Sequence, residues 1–243
     1  KMKIEKVKGI IIKDINYKES SKVLHILTKE YGMIGIISKG CRSIKSKLRS
    51  VSLKLTYGYF YISYKKDGLS VLIDVDIIDE LKNIKTDFSR IGYLAYLVDL
   101  TNQVVKETNN YDLFDIMESA IIKINDLFDP MIITNIVELK FLEYLGVKPI
   151  LDCCSICGSK NEIMTISSDS GGYVCKDCYT NEYVTDIKTI KLLRMFYYVD
   201  ISKIKELNIL DKNKYEINKF LEGYYERYTG LYLKSKDFLK SIR

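Results

Sequence analysis

Four cysteines in this chain have the types and spacing of a metal site. Cys154-Ser-Ile-Cys157 and Cys175-Lys-Asp-Cys178 are two C-x2-C pairs separated by seventeen residues, a gap that four-cysteine zinc sites use. Two intervening residues let both thiolates of a pair face one ion, and the second pair completes a tetrahedron. The expected cofactor is one structural Zn2+, because four sulfurs leave no coordination position for water or substrate. Gly158 gives the chain room to turn after the first pair, and Gly171-Gly172 lets a short hairpin lead into the second. A redox role would need a thioredoxin-like βαβ unit around a pair, and the flanking pattern has none. Cys153 and Cys41 fall outside the set and are expected to be free thiols.

The second candidate chemistry is electrostatic. The net charge is +6, but residues 1–80 carry sixteen Lys/Arg against nine Asp/Glu. No acid occurs between Glu30 and Asp67, where Lys39, Arg42, Lys45, Lys47, Arg49, Lys54, Lys65 and Lys66 lie. A one-sided field attracts polyanions, so Lys39, Arg42, Lys45, Lys47, Arg49 and Lys54 are the candidate nucleic-acid contacts. The same run on a lysine-rich chain also describes a solvated face. Tyr57, Tyr59 and Tyr61 alternate with Phe60 on one strand. One row fills a core and the other is available to stack bases, and alternation alone does not say which.

Other chemistries lack their residues. His25 is the one histidine, flanked by Leu24 and Ile26, where packing is expected rather than catalysis. Asp74 and Asp76 share a strand face, but a metal-dependent nuclease needs further acids or a lysine in a recognisable motif. No phosphate-binding glycine loop or nucleophile elbow is present, so the chain is expected not to be an enzyme. No apolar run approaches the length of a membrane span. The basic start KMKIEKVKGIII lacks a cleavage site, so a cytoplasmic protein with no membrane partner is expected.

These residues need elements to hold them. Residues 3–80 read as five strands: Ile4 to Ile15, Val23 to Leu27, Met33 to Ser38, Leu53 to Tyr64 and Leu69 to Ile78. Turns fall at Tyr17-Lys18-Glu19-Ser20 and Lys66-Asp67-Gly68, and a basic loop covers 39–50. Five strands in so short a span fit a small closed barrel of the OB type. From Phe88 the period becomes helical, with helices at 88–106, 113–127, 130 to Gly146, 187–199 and 215–228. Asp129-Pro130 reads as an N-cap followed by proline at the first helical position. The fold class is therefore α+β: an N-terminal OB-fold barrel, then an α-helical domain with an inserted four-cysteine zinc module. The expected boundaries are 1–82 for the barrel, with its candidate nucleic-acid contacts, 83–150 and 184–243 for the helical domain, and 151–183 for the module.

The stretch from Glu138 through Leu145-Gly146, Pro149 and Cys154-Ser-Ile-Cys157-Gly158 resembles the RecO recombination-repair family. So do Gly171-Gly172 before Cys175, and Gly9-Ile-Ile-Ile with Tyr17-Lys-Glu-Ser-Ser-Lys near the start. Tyr31-Gly32, Ser38-Lys39-Gly40 and the C-terminal Leu233-Lys-Ser235 match as well. The likeness runs in order along the whole chain. It departs after Lys39-Gly40, where Cys41-Arg42-Ser43 stands in place of a small residue and arginines.

The resemblance implies a mediator that binds single- and double-stranded DNA and anneals complementary strands. It further implies contact with the C-terminal tail of the single-strand-binding protein, and work with RecR in loading RecA. That tail is acidic with an apolar end, so it needs an apolar pocket rimmed by cations. Lys188, Lys191 and Arg194, beside Leu192, Leu193 and Phe196, make one candidate helix. Two other classes remain compatible with the residues: an RNA-binding zinc protein of translation or RNA processing, and a nuclease using Asp74 and Asp76.

Overall fold

The computed structural model describes residues 4–110, 112–231 and 234–242. It divides into two compact units, residues 1–118 and 119–243. Leu233 of the C-terminal motif lies outside the described residues.

In the first unit, β1 (Ile4–Tyr17), β2 (Ser21–Thr28), β3 (Gly32–Ser38), β4 (Tyr57–Ser63) and β5 (Ser70–Asp79) close into a barrel with strand order β1-β2-β3-β5-β4. The long first strand makes closure possible. Its first half pairs with β4, its second half with β2, and Ile10 is opposite both Tyr57 and Leu27. A register shift between Ile11 and Lys13 marks the bend. A short parallel contact, Ile36 to Ser70 and Ile37 to Val71, seals the other side.

Period-two burial fills the interior with Val7, Ile11, Leu24, Ile26, Ile36, Phe60, Ile62, Leu72 and Val75. Strand β4 starts at Tyr57, later than the expected Leu53. Leu55 takes a left-handed conformation, φ 69°, which breaks extended structure. Its N–H donates to Ile11 O and Thr56 O accepts from Ile11 N–H, so residues 53–56 patch the barrel wall.

Two helices complete this unit, α1 (Lys82–Lys85) and α2 (Phe88–Thr108), followed by the first residues of α3 (Leu113–Asn125). The Asp87 carboxylate caps α2 by accepting from Arg90 N–H at 3.0 Å. The compact unit extends beyond residue 82 for a physical reason. Helix α2 lies against β1 and β3, and the start of α3 is tied to the barrel by the ion pairs Lys8–Glu118 and Lys29–Asp115.

The second unit is built around α4 (Pro130–Tyr144). Ten residues of this helix are buried, in an almost unbroken run from Ile132 to Leu142, as expected of a helix surrounded by protein. The Asp129 carboxylate caps it, accepting from Met131 N–H at 2.9 Å with Pro130 behind. The module follows as a three-stranded sheet, order β6-β8-β7, made of β6 (Ile150–Cys154), β7 (Ile163–Ser167) and β8 (Gly172–Cys175). Gly172 has φ 155°, and a Cβ there would sit 2.1 Å from Ile150 O; β6 and β8 approach closely only because no side chain intervenes. Helices α5 (Ile187–Tyr198), α6 (Asp211–Tyr228) and α7 (Lys234–Ile242) complete the unit. The sequence pattern had not indicated α1 or α7. No described helix is long and apolar enough to cross a membrane.

Candidate metal centre and nucleic-acid interface

The four sulfurs of Cys154, Cys157, Cys175 and Cys178 lie within 4.8 Å of one another. Cys157 and Cys175 are 3.6 Å apart, and a tetrahedral ion with metal–sulfur bonds of about 2.3 Å needs sulfurs about 3.8 Å apart. The set therefore fits a metal ion. Local backbone makes this geometry. Gly158, at φ 76°, donates to Cys154 O at 2.9 Å and closes the first turn, while Tyr179 N–H closes the second on Cys175 O at 2.9 Å.

Burial pushes the Cys154 thiol up, but amide N–H groups of Cys157, Cys175 and Ile156 aim at its sulfur and bring it down to about 6. The bond from Cys175 N–H is 3.4 Å long. The Cys157 thiol, followed by burial, pushes Cys178 up to about 12. Sulfurs that hold each other's protons in this way share one small volume, which a cation would relieve. Among the described residues this is the one group of three or more side chains suited to a metal. Asp74 and Asp76 lack a third ligand, and the Asp76 carboxylate accepts from Tyr61 OH at 2.7 Å.

The basic segment between β3 and β4 is ordered by consecutive turns. Ser43, Ser46 and Arg49 N–H donate to the carbonyls of Gly40, Ser43 and Ser46. Inward-facing anchors fix it. Cys41 and Leu55 are buried, Leu48 and Val51 pack on the barrel core, and the Ser52 hydroxyl meets Ser38 at 2.7 Å in the interior. With those residues turned in, Lys39, Arg42, Lys45, Lys47, Arg49 and Lys54 are all exposed. None of the six is in an ion pair among the described residues; Arg42 donates to Lys18 O at 3.3 Å.

Phe60 and Ile62 face the barrel interior, so the tyrosine row faces out. Tyr59 and Tyr61 are half-buried on that outer face, with the Lys6 ammonium 4.2 and 5.5 Å from their ring centres. Tyr57 departs from the expectation. It is 4% exposed, and its hydroxyl donates to Glu118. Burial and that carboxylate push its phenol far above the usual range, and its covered ring offers no face to a base. Lys6 was missed because only strand pairing brings β1 beside β4. His25 is half-buried, and burial with Lys13 and Lys106 lowers its pKa, as suits a packing residue.

Lys191, Arg194, Met195 and Tyr198 of α5, with Val199 just past its end, line a shallow groove of about 490 Å³. Arg194 is held by Asp152 at 2.8 Å, which also accepts from Tyr198 OH. Lys188 is exposed but stands outside the groove. The expected apolar lining is corrected: Leu193 and Phe196 are 0% and 1% exposed and belong to the core. Met195 and Tyr198, 50% and 57% exposed, take their place. The stripe Lys191, Met195, Tyr198 follows helical spacing and was the available signal.

Residues 2–81 match the family model described as Recombination protein O N terminal, and residues 85–237 match Recombination protein O C terminal. Similar relatives named DNA repair protein RecO include that of Bacillus subtilis (strain 168), 34% identical over 243 residues, covering 98% of this chain and 95% of the relative. That of Halalkalibacterium halodurans is 33% identical over 241 residues, covering 98% and 94%. That of Listeria monocytogenes serotype 4b is 32% identical over 243 residues, covering 98% and 95%.

Proposed function

Because this chain belongs to the RecO family of DNA repair proteins, we propose that it is a non-catalytic recombination mediator: it binds single- and double-stranded DNA through the loop at residues 39–54. Binding there lets it anneal complementary strands and help load RecA onto DNA coated with single-strand-binding protein, in partnership with RecR. Its place of action is the nucleoid in the cytoplasm. Annealing requires no covalent step. Cations that screen two repelling backbones let bases search for their partners.

The observation that carries this reading is the set of six exposed cations, free of acidic partners, on a loop already fixed by its inward anchors. Order before binding lowers the entropy lost when phosphates dock. Tyr59 and Tyr61, half-buried on the outer face, add partly open ring surface for bases. The metal is assigned as one structural Zn2+, since four thiolates saturate a tetrahedral ion. The groove of Lys191, Arg194, Met195 and Tyr198 is assigned to the acidic, apolar-ended tail of the single-strand-binding protein, with Lys188 as a nearby cation.

The test is titration of single-stranded DNA at several salt concentrations. If Lys39, Arg42, Lys45, Lys47 and Arg49 each neutralise one phosphate, the log–log slope is about −3.5. A slope near zero, or no change on reversing the five charges, ends this reading. Annealing on coated DNA, with Lys191→Glu and Arg194→Glu beside the parent, tests the tail assignment. Unchanged binding of a tail peptide removes it from this groove.

A further inference from the structure

A second cavity, of about 630 Å³, lies between β7 and α6 in the second unit. Its charge is opposite to that of the barrel loop. Glu182, Glu222 and Glu226 are among its lining residues, with Lys219 as the one cation. Tyr183 and Tyr215, 62% and 65% exposed, supply aromatic surface. The Glu216 carboxylate, buried behind them, accepts from Tyr183 OH at 3.0 Å and Thr189 OH at 2.5 Å, so this wall is set in advance. The cleft already holds an ammonium group: Lys219 Nζ is 5.7 and 6.0 Å from the Tyr183 and Tyr215 ring centres, within the range of cation–π attraction. Gly223 lets α6 close the floor, since a Cβ there would meet Ser168 Oγ at 2.8 Å.

The chain carries a surface complementary to this cleft. Ile44, at 85%, is the most exposed of its large apolar side chains among the described residues. It stands between Arg42 and Lys45 at the tip of the cationic loop. We propose that the acidic, aromatic cleft receives the loop tip Arg42-Ser-Ile44-Lys45 of a second copy of this chain. The isoleucine packs on the tyrosine rings, and the flanking cations face the glutamates. A cleft of this volume takes one or two side chains, so the contact is smaller than that of a permanent dimer and is reversible. A patch that meets a different patch is heterologous, so a pair still presents one unused cleft and one unused loop to further neighbours. The inference adds one consequence to the DNA reading: DNA and the second copy compete for the same loop.

The experiment is sedimentation velocity of the metal-loaded full chain. At about 0.1 M salt, where charges act over about 10 Å, the average mass exceeds that of a monomer and rises with protein concentration. At about 1 M, where screening sets in within about 3 Å, it returns to monomer. The cleft-reversed double variant Glu222→Lys/Glu226→Lys and the loop-reversed triple variant Arg42→Glu/Lys45→Glu/Lys47→Glu are each monomeric alone. Mixing them restores association, because each now supplies the charge that the other lacks. A single-stranded oligonucleotide dissociates the wild type. A wild type that is monomeric at about 0.1 M salt, or a mixture that stays monomeric, overturns the proposal. DNA titration of the loop-reversed variant by itself separates that failure from failure of the DNA reading.

Discussion

The basic loop of the first unit and the cysteine module of the second are both short of regular structure, yet they are held in opposite ways. The loop owes its order to several weak anchors: Cys41, Leu48, Val51 and Leu55 turned inward, the Ser38–Ser52 hydroxyl contact, and a row of turns. Each supplies a fraction, and loss of one leaves the others in place. The module brings four sulfurs around one point, where a bound metal ion would hold it together. Distributed anchoring suits a surface that must stay polar and solvated. Concentrated anchoring suits a segment whose strands, four or five residues long, are too small to bury a core of their own.

The strongest way to break this comparison is to deprive the four sulfurs of the ion proposed for them. Chelation, or Cys175→Ser, withdraws stabilisation on the order of 10 kcal/mol from the module. Protease should then cut within residues 155–178, with one zinc per chain released, while the barrel keeps its melting transition. Survival of the native cleavage pattern would show that the sulfurs are not what holds it.

The charged side of the loop comes next. Reversing Lys39, Arg42, Lys45, Lys47 and Arg49 should lower affinity for single-stranded DNA about a hundredfold at moderate salt and flatten the salt dependence. These positions are exposed, so single replacements should move stability by less than about 0.5 kcal/mol. The inward side should behave in the converse manner. Leu48→Ala costs about 2 kcal/mol of unfolding free energy in denaturant titration, and a cost near zero would deny that the loop is anchored.

Tyr59→Ala and Tyr61→Ala should each weaken DNA binding by about 1 kcal/mol. Tyr57→Phe should leave DNA binding unchanged and lower stability through the lost Glu118 bond; a binding defect from Tyr57 alone would reverse this assignment. The smallest effect concerns His25. Burial, with Lys13 and Lys106, holds its pKa below 6.5, so the unfolded chain takes up the proton more readily. Stability is therefore full above about pH 6.5 and falls as pH drops below it. His25→Gln should flatten that part of the stability profile, and an unchanged slope would place the dependence elsewhere.

The chain's own letters were enough for whatever depends on local spacing. Two C-x2-C pairs specify a ligand set because two residues are what a knuckle needs. Asp129-Pro130 specifies a helix start because the cap and the missing N–H act within one turn. Alternation along Tyr57-Gly-Tyr-Phe-Tyr specified two rows. Which row faced inward was decided by barrel closure, which placed Phe60 among Ile11, Leu24 and Ile36 and left Tyr59 and Tyr61 outside. Packing against the start of α3 then covered Tyr57. The same holds for Met195 and Tyr198 in place of Leu193 and Phe196, and for Glu182 and the acids of α6 meeting around Lys219. Spacing is a property of neighbours along the chain. Burial and opposing charge are properties of segments far apart in sequence, and only the folded chain sets them.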